Sequence, residues 1–303
     1  MMGALADESM FAWFGERIKR RDSTSVFLLA PLAAFELVFF VVPFLILVRM
    51  SFNAQPETGF YETGWTLAAY GDILASDLYQ QMILFSFKLG VIATVVAVAL
   101  ALFYAYAAYR ADGLTKSILL FSIILPLLTT LVVKTYAWRP LLAPNGVLND
   151  LLLSAGLIGS RIQFAPSLFG TVVGQVYIVF PYAVLAIYSV LSTLDWDVVE
   201  AARDLGASRP RSFAEVVLPE VLPGVAVATV VSFAWSVGAY AAPSQLGTGS
   251  QTTFAMEIGN LMLTNFNWPV GAAFALLMLA AMLASSLAVI RLLTGSIGGV
   301  QDV

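Results

Sequence analysis

The chain has 303 residues, of which 60% are hydrophobic and 11% are charged, and its formal net charge is −4. A soluble domain carries about 25% charged residues, so an ordinary water-soluble core is excluded. The sequence contains no cysteine and no histidine, which excludes disulfides, thiolate metal sites and the commonest general base. A mean hydropathy of +0.87 and apolar residues that occur in blocks predict a polytopic α-helical membrane protein.

Six apolar blocks of spanning length predict six transmembrane helices. In chain order they lie near 25–50, 82–109, 115–137, 167–193, 218–245 and 268–292. Pro126 interrupts the third block, and a proline is tolerated within a span because neighbouring helices satisfy the carbonyl that it frees. We therefore expect one membrane domain over 25–293, with cytoplasmic terminal segments at 1–24 and 294–303. The basic residues before a long first span favour an uncleaved anchor over a cleaved signal peptide.

The positions of the fifteen lysine and arginine residues predict the orientation. If the N-terminus is placed inside, most of these residues fall on the inner side: Arg17, Lys19, Arg20, Arg21, Arg110, Lys116, Arg203, Arg209, Arg211 and Arg291. Positive residues favour the cytoplasmic side of a membrane protein. Both termini and the polar segment 195–219 are therefore expected in the cytoplasm.

The segment 195–219 predicts a helix, a turn and a second helix. Thr193, Asp195 or Asp197 can cap the first helix, and Glu200 follows Asp197 at the spacing of a capping box. An apolar side is expected from Val198, Val199, Ala201, Ala202 and Leu205.

Glycine and proline mark the turn of this segment. Gly206 stands where the first helix should stop, because glycine accepts the left-handed conformation just beyond a helix. Pro210 lies near the first turn of the second helix, where its missing N–H costs nothing. By its chemistry the segment is either a solvated connector or a surface on which another protein docks, since Ala201 and Ala202 permit close backbone approach.

The same segment resembles the EAA loop of ABC-importer permease subunits. Glu200-Ala201-Ala202 is followed after three residues by Gly206, after nine more by Val216, and then by Leu218-Pro219. Val216 stands where isoleucine is common in the family. Further stretches are similar to spermidine/putrescine permease subunits: Lys134-Thr-Tyr136-Ala-Trp138, Asn145-Gly-Val-Leu-Asn149, and Phe233 to Leu246 with Ala241-Ala-Pro243. The resemblance covers roughly residues 25–293.

This resemblance implies the MetI-like type I importer fold, with six transmembrane helices and both termini cytoplasmic. It implies a bacterial inner-membrane transport subunit that is not an enzyme and binds no cofactor itself. The implied partners are a second, different permease, two ATPase subunits that use ATP and Mg, a periplasmic binding protein and the lipid bilayer, and no nucleic acid. Glu200, Ala201, Ala202 and Gly206 carry over as the ATPase-coupling element. Arg203 and Asp204, between the motif positions, either pair with partner charges or are solvated.

A polyamine, the solute implied by the resemblance, requires carboxylates and aromatic faces. Charges within apolar spans suggest function, and Glu36 is the deepest, with Lys88 and Lys134 as further charges. The remaining pathway candidates are Tyr177, Phe180 and Tyr182 in the fourth span and Trp235 and Tyr240 in the fifth. Packing, pairing or an interfacial position explains such residues equally well.

Few carboxylates lie deep in the spans, so other solutes stay open, including opines, amino-acid derivatives and phosphonates. An intramembrane enzyme or a proton-coupled carrier would be expected to have several buried acids. A membrane scaffold without transport is a third class. The sequence has no G-x-x-x-x-G-K-[ST] phosphate-binding motif, which agrees with ATP hydrolysis in another chain.

Overall fold

The structure is a computed structural model that describes residues 23–55 and 60–298. In chain order its helices are α1 (Ser23–Glu36, continued by a π-helical Leu37–Val41 and by Val42–Met50), α2 (Ala68–Ala75), α3 (Asp77–Arg110), α4 (Gly113–Leu127), α5 (Leu131–Tyr136), α6 (Arg139–Leu142), α7 (Val147–Ser154), α8 (Leu168–Leu191), α9 (Trp196–Asp204), α10 (Arg209–Val237), α11 (Ala241–Leu246), α12 (Phe254–Gly259, continued by a π-helical Asn260–Thr264) and α13 (Trp268–Gly298). The basic residues at 17–21 lie outside this range.

Three long helices, α3, α8 and α10, pack against one another and form the centre of the fold. On α3 the contact face is made of Ala93, Ala97, Ala101 and Ala105, which are spaced four apart and are all fully buried. Small residues at this spacing let helix backbones approach closely, which is how helices associate in a membrane. The alanine stripe therefore explains why this helix lies at the middle of the bundle.

The outer part of α1 stands apart from this bundle. Every side chain over 29–46 is exposed, and the chain of apolar residues there has a mean hydropathy of 2.5 over its best window. The contact with α13 is made by the final part of α1, Val42–Met50. In a membrane, lipid or another subunit covers such a helix, because its apolar side chains are unfavourable in water.

The third predicted span is wrong as a single helix. The helix α4 ends at Leu127, and the axis bends by 110° before the chain resumes at Leu131. Pro126 has no N–H to donate to the carbonyl of Ser122, so one hydrogen bond of the last turn is missing. Beyond the helix end, Thr129 Oγ1 donates to the Pro126 carbonyl over 2.8 Å. The described residues hence contain five helices long and apolar enough to cross a membrane, or six if the bent pair counts as one.

The fifth span also differs from its predicted bounds of 218–245. The helix α10 begins at Arg209 and ends at Val237, and a separate helix, α11, follows at Ala241–Leu246. Pro219 and Pro223 fall within the first turns of the Leu218–Val237 part, next to a π-helical stretch at Phe213–Val217. The helix thus extends out of the apolar block into the polar segment 195–219.

Candidate functional site

The polar segment folds as α9, a tight turn and the first turns of α10. Asp195 caps α9, since its Oδ1 accepts a hydrogen bond from the Asp197 N–H at 3.1 Å. Of the three predicted caps Asp195 is therefore the one used, and the capping box between Asp197 and Glu200 is wrong. Because the cap is Asp195, two residues before Asp197, the helix starts at Trp196.

The turn has the predicted glycine geometry. Gly206 has a φ of 94°, and the Ala207 N–H reaches back to the Ala202 carbonyl at 3.0 Å while the Gly206 N–H reaches Arg203 at 2.9 Å. These two bonds satisfy carbonyls left free at the end of α9. Pro210 occupies the first turn of the next helix, so both turn signals of the sequence are confirmed.

Trp196, the first residue of α9, lies in an aromatic cluster at the end of α3. Its ring centroid is 5.9 Å from that of Tyr109 and 6.4 Å from that of Tyr106. The Arg110 guanidinium lies over the indole, 4.4 Å from the centroid. Phe213 of α10 meets Tyr106 edge to face at 5.0 Å. We name these five residues the Trp196 cluster.

Sequence reasoning missed this cluster. A tryptophan at the start of the loop helix, with two tyrosines and an arginine in the last turns of α3, was the available signal. Val199, one turn further, is fully buried in the core together with Val217 and Val221 of α10 and Ala101 and Ala105 of α3. The loop helix is therefore seated on the bundle by its inner face.

Arg203 faces inward as well. Its Nε donates to Ser212 Oγ at 3.3 Å, and its guanidinium lies 5.7 Å from the centroid of Trp196. Ser212 is buried and donates in turn to the Arg209 carbonyl. Arg203 thus braces the turn from within, whereas Arg211 pairs with Glu215 one turn away at 2.9 Å.

The outer face of α9 is free of such contacts. Glu200 and Asp204 are exposed, and neither makes an ion pair or side-chain hydrogen bond with the described residues. Val198 is 53% exposed and Leu205 is 90% exposed, so of the predicted apolar side Val199 is buried whereas these two side chains face outward. Spacings of three and four residues place Val198, Ala201 and Leu205 on one helix face.

A cavity of about 330 Å³ lies beside this face. Its lining comes from the end of α8, the start of α9 and the first turns of α10: Val190, Thr193, Leu194, Asp195, Val198, Val216 and Glu220. Two carboxylates and four apolar side chains give it a mixed acidic and apolar wall. The outer face of α9 and this cavity adjoin, and together they form one surface of exposed apolar side chains and carboxylates.

Among the pathway candidates the structure brings Tyr182 and Trp235 together. Their rings stack with centroids 5.7 Å apart and planes 16° apart. The buried Gln175 holds this part of α10, because its Nε2 donates to the Trp235 carbonyl and to Ser236 Oγ, each at 3.3 Å. Trp235 is still 42% exposed, so this stacked pair presents an aromatic face at the surface of the bundle.

The other candidates are dispersed. Tyr177 meets Trp138 edge to face at 5.7 Å, and Phe180 meets Tyr104 of α3 at 5.4 Å; both are packing contacts. Tyr240 is 56% exposed, between α10 and α11. Glu36 is exposed on the separate outer part of α1.

The charged residues of the spans do not pair with one another. Lys88 is exposed on α3, whereas Lys134 is buried on α5 with 4% of its surface exposed. In the part of the chain that the structure describes, no group of three or more Asp or Glu side chains could hold a metal ion.

Comparisons with known proteins agree with this geometry. The family described as "Binding-protein-dependent transport system inner membrane component" matches residues 151–297. The chain is 31% identical over 244 residues to the spermidine/putrescine transport system permease protein PotB of Escherichia coli K12, covering 78% of this chain and 86% of that protein. It is 28% identical over 241 residues to PotB of Haemophilus influenzae, covering 79% and 84%.

A molybdenum transport system permease protein, ModB of E. coli K12, is 32% identical over 180 residues, or 56% of this chain and 72% of that one. Among solved structures, a chain of a bacterial ABC transporter that imports the acidic polysaccharide alginate has the same fold, with a TM-score of 0.74 at 18% identity over 93% of this chain and 98% of that one. The apolar helices and these relatives show a multi-pass inner-membrane protein with the transport role of its family. The chain belongs to the family of binding-protein-dependent transport system inner membrane components, among the homologues of the PotB permease proteins.

Proposed function

We propose that this chain is the permease subunit of an ATP-driven importer and that segment 195–219 is the surface on which an ATPase subunit docks. The observation that carries the proposal is the outer face of α9. Val198 and Leu205 are exposed apolar side chains, flanked by the carboxylates of Glu200 and Asp204, which have no partner among the described residues. Exposed apolar side chains rimmed by charge are typical of a protein contact surface.

The neighbouring cavity extends this docking surface. Asp195 and Glu220 give it negative charge next to the apolar walls of Val190 and Val216. A basic side chain of the ATPase, whose stem is apolar and whose head is charged, matches both features. Ala201 is exposed between Glu200 and the turn, so the partner's backbone can approach α9 closely. ATP and Mg belong to this partner.

The solute that we propose is a polyamine, spermidine or putrescine, as the names of the PotB relatives state for those proteins. The stacked Tyr182 and Trp235 offer an aromatic face of the kind that attracts an ammonium group. A second permease forms the other half of the pathway, and a periplasmic binding protein delivers the solute. A different solute is the second candidate, because the ModB relative serves molybdenum transport by its name.

Copurification and uptake test this function together. The tagged chain, expressed with its genomic neighbours, should retain an ATPase subunit, and the complex in proteoliposomes should accumulate radiolabelled spermidine only with ATP and the binding protein. Glu200→Lys with Leu205→Glu should abolish ATPase retention, since both changes place a mismatched group on the docking face.

The matched control is Glu215→Gln, which removes a carboxylate of the same segment that already pairs with Arg211. Retention of the ATPase by the doubly substituted chain at the parent level would contradict the docking surface. ATP-dependent uptake of another solute without spermidine uptake would overturn the polyamine assignment and leave the importer.

A further inference from the structure

The loop helix α9 is connected along the chain to α8 and α10, yet its side chains also hold α3. The backbones of α9 and α10 approach each other around the turn. At the end of α3 the contact is made by long side chains, Trp196 against Tyr106, Tyr109 and Arg110, beside the core that Val199 shares with α3. This contact joins the segment to a helix that does not neighbour it along the chain.

The position of the indole is set by ring contacts. Its Nε1 is buried without a hydrogen-bond partner among the described residues, so no acceptor fixes the ring. The Arg110 guanidinium lies 4.4 Å from the ring centroid and that of Arg203 lies 5.7 Å from it, within the range of a cation–π interaction. Arg110 occupies the last turn of α3, where the helix dipole also favours a cation.

We propose that Arg110 and Trp196 are positioning residues that fasten α9 to the end of α3, so that a displacement of α9 carries α3 with it as well as α8 and α10. This inference rests on the proposed function, because the displacement comes from the docked ATPase. The helix α3 packs along both α8 and α10 through its alanine stripe. The three central helices and α9 then move as one body.

The first test measures coupling in the assembled complex. In proteoliposomes with the binding protein, Arg110→Gln and Trp196→Phe should leave the ATPase bound and hydrolysing ATP. Spermidine uptake per ATP hydrolysed should fall about threefold to tenfold for Arg110→Gln, as expected from loss of a cation–π contact, and by less for Trp196→Phe, which keeps a smaller aromatic face. Arg110→Lys keeps a cation and should restore part of the ratio. Lys116→Gln removes another cation on the next helix, outside the Trp196 cluster, and should match the parent.

The outcomes separate the two proposals. If the parent complex retains no ATPase, the proposed docking function fails. If it takes up another solute but no spermidine, only the polyamine assignment fails, and the ratio of uptake to hydrolysis is then measured with that solute. If the parent complex is active and Arg110→Gln and Trp196→Phe both keep the parent ratio of uptake to hydrolysis, the fastening of α9 to α3 is overturned while the proposed function stands.

A distance measurement tests the same idea without transport. The chain has no cysteine, and both Ala107 on α3 and Asp197 on α9 are exposed, so spin labels can be attached through Ala107→Cys and Asp197→Cys. The label-to-label distance should be the same in the nucleotide-free and the ATP-bound complex, and adding Trp196→Ala should broaden it. A shift of the parent distance between the two nucleotide states, larger than the width of its distribution, would overturn the proposal.

Discussion

Gly206 holds the bend between α9 and α10 in a backbone conformation that most residues avoid. Its φ is 94°, and a Cβ placed on it would meet no atom within 4 Å. The cost of a substitution here is therefore conformational strain and not a clash. A left-handed conformation costs an ordinary L-residue roughly 1–2 kcal/mol, and asparagine adopts it more readily.

We accordingly predict that Gly206→Val lowers the amount of ATPase that copurifies with the chain about tenfold, as strain of this size implies, whereas Gly206→Asn retains most of it. Immunoblotting of the purified complex measures the ratio of ATPase to permease. Gly159→Val is the matched control, because Gly159 is an open loop glycine without a positive φ. Equal ATPase retention by the valine and asparagine variants at 206 would contradict the role of the backbone conformation.

At the scale of elements, the crossing of α8 and α10 depends on Gly224. A Cβ there would lie 3.0 Å from the Ala186 carbonyl oxygen and 3.1 Å from the Ile187 Cα. Backbone atoms of a packed helix cannot yield as a flexible side chain can. The close approach of these helices thus requires glycine, as is common where helices meet in a membrane.

Gly224→Leu should destabilise the detergent-solubilised protein by about 1–3 kcal/mol, the usual cost of overpacking, and lower its midpoint of thermal unfolding. Gly71→Ala in α2, where a Cβ meets nothing within 4 Å, should not lower the midpoint and should raise it slightly, because alanine favours a helix more than glycine does. Tryptophan fluorescence during heating gives both values. A Gly224→Leu protein as stable as the Gly71→Ala protein would show that α8 and α10 can separate without loss.

Some properties of the elements were readable from the sequence and some were not. The end of α9 follows from local chemistry, because the glycine after it lets the backbone satisfy the last carbonyls of the helix. Its start was predicted only as one of three caps, and the structure selected Asp195. The bend in the third span could not be predicted in the same way. Pro126 removes one hydrogen bond wherever it stands, but the 110° bend after it depends on how α5 packs against α8 and α11.

At the scale of the whole molecule, the bundle should place segment 195–219 and the loop before α8 on opposite sides of the membrane. Ser208 and Ser160 are exposed in these two regions, and the parent chain has no cysteine. In intact cells from which the outer membrane has been removed, an impermeant thiol reagent should label Ser160→Cys and leave Ser208→Cys unmodified.

After the inner membrane is permeabilised, the reagent should label both variants to the same extent, which controls for thiol reactivity. Labelling is read on a gel as a shift in mass. Modification of Ser208→Cys in the intact cells would reverse the orientation predicted from the lysine and arginine distribution, and it would remove the proposed ATPase surface from the cytoplasm.

The sequence by itself determined the membrane class, the apolar helices apart from their ends and from the bend in the third span, and the shape of the turn at Gly206, because composition and hydrogen bonds between near neighbours decide all of these. It also indicated the family through the spacing from Glu200 to Pro219. Only the tertiary structure decided that Arg203 braces the turn, that Leu205 faces outward, that Tyr182 stacks on Trp235, and that Arg110 meets Trp196. These contacts form between separate segments of the fold and depend on how each helix crosses and rotates against its neighbours. A local sequence pattern does not contain that information.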